Sequence, residues 1–249
     1  MRLREKVALI TGGSRGIGRA VALAFAREGA QVAIVGVSDA EALAQVSNEI
    51  VAIGQEVLTC QADVSQHSDV ERWVHQVVQK WGRIDILVNN AGTIQPTRLE
   101  EITVTQWQAT LAVHLTGTFL CTQAVLPLMK AQRGGKIINV TAPSALRGSF
   151  GVADYASAKG GIIAFTRNAA NELKTHNIQV NCISPVAETR MTDMLFAFRQ
   201  QHLSGAIATF GNARLATPEE VTPAFVFFAC ADSDYITGQV LAVDGGMTA

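Results

Sequence analysis

The chain has 249 residues, a formal net charge of −1, and 48% hydrophobic against 16% charged residues. That length and apolar content suit one large α/β domain with a sizeable core, and the near-neutral charge excludes the basic field that a nucleic-acid partner requires. MRLREK leads straight into a short apolar strand without the form of a signal peptide, and no apolar run reads as long enough to span a bilayer, so a cytoplasmic protein without a membrane partner is expected.

In chain order, the sequence predicts a strand at VALIT (7–11), a helix from Ile17 to about Glu28, and a strand at QVAIV (31–35). Further strands are expected at EVLTC (56–60), DILVN (85–89), KIINV (136–140), IQVNCIS (178–184) and QVLAV (239–243), with helical patterns between them. Near-continuous apolar strands separated by helices indicate a doubly wound parallel sheet covered on both faces. Between Pro185 and Pro218 the pattern lacks a strand and gathers Met191, Met194, Leu195, Phe196, Phe198 and Phe210, which reads as a lid over residues 186–217 or as an oligomer contact. Cys60, Cys121, Cys182 and Cys230 show neither a CxxC nor a Cys/His spacing, so they read as reduced core thiols with no metal site.

The first strand runs into TGGSRGIG (11–18), followed at once by a helix. Gly12, Gly16 and Gly18 allow a tight turn and close approach to a pyrophosphate, and the helix N-terminus adds N–H donors. Ser14, Arg15 and Ile17 belong to the same candidate cofactor turn. An acidic residue at the end of the second strand would hold an NAD ribose hydroxyl, but Gly36 stands there, with Arg15 and Ser38 ready to meet a 2′-phosphate. NADP(H) is therefore favoured, with NAD(H) as the alternative through Asp39.

With NNAG (89–92), YASAK (155–159) and ITGQVLAVDGG (236–246) added to that turn, the sequence resembles the short-chain dehydrogenase/reductase family along almost its whole length, and is most similar to its 3-oxoacyl-(acyl carrier protein) reductase-like members. The resemblance implies a single Rossmann-type domain over residues 1–249, usually a homotetramer or homodimer. It implies that Asp63 and Val64 hold the adenine, that Asn90, Ala91 and Gly92 line the nucleotide cleft, and that Pro185 and Thr189 lie in the loop beside the nicotinamide. Tyr155 becomes the acid/base, and Lys159 binds the ribose and lowers the phenol pKa. The four-residue spacing independently puts the last two side by side on a helix, where an ammonium favours a phenolate.

Three positions depart from the family pattern. The family's serine, thirteen residues before Tyr155, is Ala142 here; its asparagine falls on His114; and its PG-containing loop is SPVAETRM, without the glycine. Either Thr141 or Ser144 is then a candidate hydroxyl, with Ser144 preferred because residues two apart on a strand share a face. His114 reads equally as a member of a pH-sensitive water relay or as a packed helix histidine. His67, His75, His176 and His202 read as surface residues. Arg147 and Arg190 read first as solvated loop charges and second as receivers of an anionic group. The expected function is carbonyl/secondary-alcohol interconversion on a small, mainly apolar molecule. A cofactor-binding but non-catalytic partner subunit or sensor, and non-redox proton chemistry on the same fold, are the competing readings.

Overall fold

The computed structural model describes residues 1–37, 40–203 and 214–248. Seven strands form one parallel sheet: β1 (Val7–Thr11), β2 (Gln31–Gly36), β3 (Val57–Gln61), β4 (Ile86–Asn89), β5 (Gly135–Val140), β6 (Ile178–Pro185) and β7 (Val240–Val243). Their order is β3-β2-β1-β4-β5-β6-β7, which makes this a Rossmann-type sheet. It reverses direction of growth between β1 and β4, where Leu9 pairs with Ala33 on one side and Leu87 on the other. Every strand expected from the apolar runs is present; the central strands are apolar almost throughout because they are buried on both faces, whereas the edge strands β3 and β7 are only partly covered.

The helices are α1 (Gly16–Arg27), α2 (Ala40–Ala52), α3 (His67–Trp81), α4 (Val104–Leu111), α5 (Gly117–Gln132), α6 (Ser144–Arg147), α7 (Ala153–Leu173), α8 (Arg190–His202) and α9 (Pro218–Ala229). Alternation along β1 sorts them into two layers. Ala8 and Ile10 face a core with Val21 and Phe25 of α1 and Phe225 of α9, whereas Val7 and Leu9 face Trp73 of α3 and Val125 and Met129 of α5. Full burial of such side chains stabilises the fold by about 1.5–3 kcal/mol each before chain entropy is counted. The four cysteines are free thiols, as expected, and three of them are buried.

One sequence expectation changes. Val104–Gln132 is, by length and composition, long and apolar enough to cross a bilayer. Within the fold it is instead a layer of the domain, with Cys121, Val125 and Met129 buried against the sheet. The segment expected as a lid contains α8, and its two ends meet: Ala187 bridges Ala216, and Glu188 N–H donates to the Ala216 carbonyl at 2.8 Å. Phe210 lies outside the described residues.

Candidate active site

Where β1 and β4 part company, the chain turns are tied together. Thr11 Oγ1 accepts from the N–H groups of Asn90 and Ala91, both at 2.9 Å, and Asn90 Nδ2 donates to the carbonyls of Thr11 at 2.9 Å and Gly12 at 3.3 Å. Gly12 has φ of +66°, and a Cβ there would lie 2.9 Å from Ala91 Cα, so glycine is required twice over. A Cβ on Gly18 would lie 2.1 Å from the Gly12 carbonyl oxygen. The β1–α1 turn is therefore packed directly on the β4 turn.

Helix α1 begins at Gly16 without a side-chain cap, which leaves its first N–H groups open to an anion. Ser14 sits against Gly36 at the end of β2, and Arg15 is exposed at the helix start. Ile17, Asn90, Gly92, Pro185 and Thr189 line one cavity. Asp63 Oδ1 accepts from Ser65 N–H at 2.9 Å, and buried Val64 packs on Gly117 of α5. Ser38 and Asp39 lie outside the described residues. An uncapped helix start and glycines with no room for side chains fit a dinucleotide held by Gly12, Ser14, Arg15, Gly16, Ile17 and Gly18.

Helix α7 forms the opposite wall. Its first turn is anchored by buried Asp154, whose carboxylate accepts from Tyr155 N–H at 2.8 Å, Thr110 Oγ1 at 2.9 Å and Gln106 Nε2 at 3.1 Å. Tyr155 and Lys159 follow, with the ammonium 5.6 Å from the phenol ring centroid. Lys159 Nζ donates to the Val140 carbonyl at 2.7 Å, and Thr141 Oγ1 donates to the Lys159 carbonyl at 2.8 Å. These two bonds stitch the end of β5 to α7. Burial lowers the Lys159 pKa to about 8. Burial also raises the Tyr155 pKa, so the depression expected from Lys159 does not prevail and the phenol keeps its proton at neutral pH.

A π-helical turn, Ala112–Thr116, interrupts the helix between α4 and α5 and carries buried His114. Its ring lies edge-on to Tyr155, centroids 5.0 Å apart. Nε2 is 2.8 Å from the Thr93 carbonyl and 3.1 Å from Thr93 N–H. The ring occupies the space above Gly92: a Cβ there would stand 2.4 Å from His114 Cε1. Burial, then the charge of Lys159, lowers the His114 pKa to about 3. The imidazole is therefore neutral near pH 6.5, which removes the pH sensitivity expected of a relay there, and its contacts with Thr93 and Tyr155 are those of a packed helix histidine.

Strand β5 ends at Val140, so the strand-face argument for Ser144 does not apply; Ser144 instead opens the short helix α6. Tyr155, Lys159, His114, Thr141, Ala142 and Ser144 all line a cavity of about 160 Å³. Met191, Leu195 and Phe196 of α8 close its far side. Among the described residues, six buried polar side-chain atoms lack a hydrogen-bond partner, and three of them, His114 Nδ1, Ser144 Oγ and Arg199 Nε, belong to residues lining this one cavity. Unpaired buried polar groups are costly, so their concentration marks a ligand site.

An enoyl-(acyl carrier protein) reductase family model matches residues 12–248. The chain belongs to the short-chain dehydrogenase/reductase family. It is 40% identical over 247 residues to a 3-oxoacyl-[acyl-carrier-protein] reductase of Synechocystis sp., covering 98% of each chain. It is also 40% identical to the corresponding Thermotoga maritima reductase, with 99% of each covered, and to a (2S)-[(R)-hydroxy(phenyl)methyl]succinyl-CoA dehydrogenase subunit of Thauera aromatica, with 99% of this chain and 98% of the relative covered. The crystal structure of levodione reductase superposes with a TM-score of 0.91 at 31% identity and covers 99% of each chain. As a short-chain dehydrogenase/reductase of the ketoreductase type, the chain is an oxidoreductase acting on CH–OH and C=O groups of small molecules with a nicotinamide cofactor.

For this short-chain dehydrogenase/reductase, sequence reasoning missed two site residues. Asp154 was legible only as an acid in a helix's first turn; its bonds to α4 are tertiary. Arg199, 9% exposed, was masked by its place in a polar helical stretch, while Arg190, named in its stead, is exposed and does not line the cavity.

Proposed function

We propose that the chain is an NADP(H)-preferring ketoreductase in which Tyr155 protonates the carbonyl oxygen and Ser144 supplies the hydroxyl missing at Ala142. The observation that carries this reading is Ser144, which lines the same cavity as Tyr155 and Lys159 and whose hydroxyl is buried without a partner. Thr141 is the weaker candidate because its hydroxyl already donates to the Lys159 carbonyl; it acts as a positioning residue.

A bound nicotinamide would supply the hydride to the carbonyl carbon. Tyr155, protonated because it is buried, delivers its phenolic proton to the oxygen, giving the secondary alcohol. Lys159, held by the Val140 carbonyl, stabilises the phenolate that remains, and its pKa of about 8 suits it to hand a proton back near neutral pH. Ser144 donates to the developing oxyanion. His114 keeps the Tyr155 ring in place and offers Nδ1 to the proton path. Arg15 and Ser38, with Gly36 where a carboxylate would serve NAD, support the NADP(H) preference. The same reading includes a cytoplasmic homotetramer or homodimer.

The test is NADPH oxidation with aliphatic, aromatic and β-keto thioester carbonyls, with NADH in parallel, for the native chain and for Tyr155→Phe, Ser144→Ala and Ala142→Ser. Turnover that survives Tyr155→Phe would sink the proposed acid. Tight NADPH binding with no turnover across the panel would favour the non-catalytic reading.

A further inference from the structure

Helix α8 turns one arginine inward. Arg199 is 9% exposed and lines the cavity that holds Tyr155 and Ser144. A terminal nitrogen, Nη2, donates to Ser149 Oγ, and Nε is buried with no partner. Burial, then the positive charge of Arg147, lowers the Arg199 pKa, and Arg147 lines the same cavity. Among the described residues neither guanidinium forms a salt bridge, although other arginines of the chain pair with acids, as Arg19 does with Glu49 and Arg83 with Asp85. Residues 204–213, SGAIATFGNA, contain no acidic residue to serve as a counterion.

A buried cation beside a second cation, with no anion paired to either among the described residues, is an expensive arrangement that a ligand anion relieves. The surroundings also hold Arg199 in place. Phe198, next to it on α8, stacks between Phe150 and His202, with ring centroids 6.0 and 4.1 Å away, and a Cβ on Gly151 would meet the Phe198 ring at 2.5 Å. A guanidinium fixed on a packed helix, with Nη2 held by Ser149 and Nε–H left without a partner, can take a carboxylate oxygen through a charge-assisted hydrogen bond. The rest of the wall, Met191, Leu195 and Phe196, is apolar, which suits a short hydrocarbon between the anion and the reacting carbon.

We propose that Arg199, assisted by Arg147 at the cavity rim, binds a carboxylate carried by the substrate, so that the enzyme selects oxo acids over neutral ketones. This rests on the ketoreductase reading for its kinetic test but not for its binding test. The kinetic test compares kcat/KM for a series from oxopentanoate to oxoheptanoate with that for the matching methyl esters. The native enzyme is expected to favour the best acid over its ester by at least about tenfold, the weight of one charge-assisted contact. Arg199→Met should reduce that ratio to near one, and Arg147→Gln should reduce it by less; a merely structural role would slow acid and ester alike and leave the ratio intact.

The binding test titrates NADPH-loaded protein with hexanoate by calorimetry, with methyl hexanoate as control and both variants in parallel, their folding checked by circular dichroism. If the native chain reduces no ketone yet binds hexanoate through Arg199, the ketoreductase reading falls and the carboxylate site stands. If ketones are reduced but acids and esters are used equally, and hexanoate binds no better than its ester, the carboxylate site is overturned and the reductase stands. Should Arg199→Met fail to fold, loss of the acid preference in Arg147→Gln supports the site and an unchanged preference overturns it.

Discussion

The two sides of the site are built differently. On the cofactor side, Thr11, Asn90 and Ala91 close a set of hydrogen bonds between the β1 and β4 turns, and behind it Asn89 Nδ2 donates to Asn139 and Thr122 while Asn139 Nδ2 donates to Thr166. On the substrate side, His114, Ser144 and Arg199 line one cavity, and their Nδ1, Oγ and Nε atoms are buried without partners. The first region spends most of its polar groups on holding the fold, although Asn89 Oδ1 is without a partner; the second holds more of them in reserve for a ligand. Substitutions on the cofactor side should therefore register as stability, and those on the substrate side as rate.

The largest effect is expected from Tyr155→Phe. Removing the general acid should lower kcat/KM by about 100- to 10,000-fold with NADPH affinity retained, read by steady-state kinetics beside a binding titration. Ser144→Ala should lower kcat by about 100-fold, the lower end for loss of one oxyanion donor. Because the hydroxyl it deletes is buried and unpaired, thermal stability should hold or rise. A lowered melting temperature with unchanged kcat would make Ser144 a structural residue and erase the contrast between the two sides.

Asn90→Ala should do the opposite. It removes two side-chain bonds to the carbonyls of Thr11 and Gly12 and should cost about 1–3 kcal/mol in a denaturant titration. Gly92→Ala probes the border between the regions, since its new methyl would collide with the His114 ring. A cost of about 1–3 kcal/mol is expected. It should shrink in a His114→Ala background, giving a favourable coupling in a double-mutant cycle; simple additivity would show that the ring is not the obstacle.

His114 also gives a pH signature. The unfolded chain takes up a proton there below about pH 6.5, whereas the native state does so only near 3. Between those values the unfolded state binds more protons, so stability falls as pH drops through that window, by about 2 kcal/mol at pH 5 relative to pH 7.5. His114→Asn should remove this part of the slope in denaturant titrations at the two pH values.

The sequence by itself determined the parallel sheet, the glycine turn at the start of α1 and the pairing of Tyr155 with Lys159. Those features rest on local rules: short β-branched apolar runs alternating with helical patterns, glycines where the backbone has no room for a side chain, and a four-residue spacing that is one helical turn. Only the tertiary structure decided which hydroxyl is free. Thr141 and Ser144 look alike in sequence, but one is engaged by Lys159, eighteen residues away, and the other is not. The state of His114 depends on Thr93 and Lys159, and the burial of Arg199 depends on Ser149 and the packing of Phe198 on Phe150. Protonation and hydrogen-bond availability are set by desolvation and by neighbours brought in from distant segments, and those are properties of the packed chain rather than of any short stretch of it.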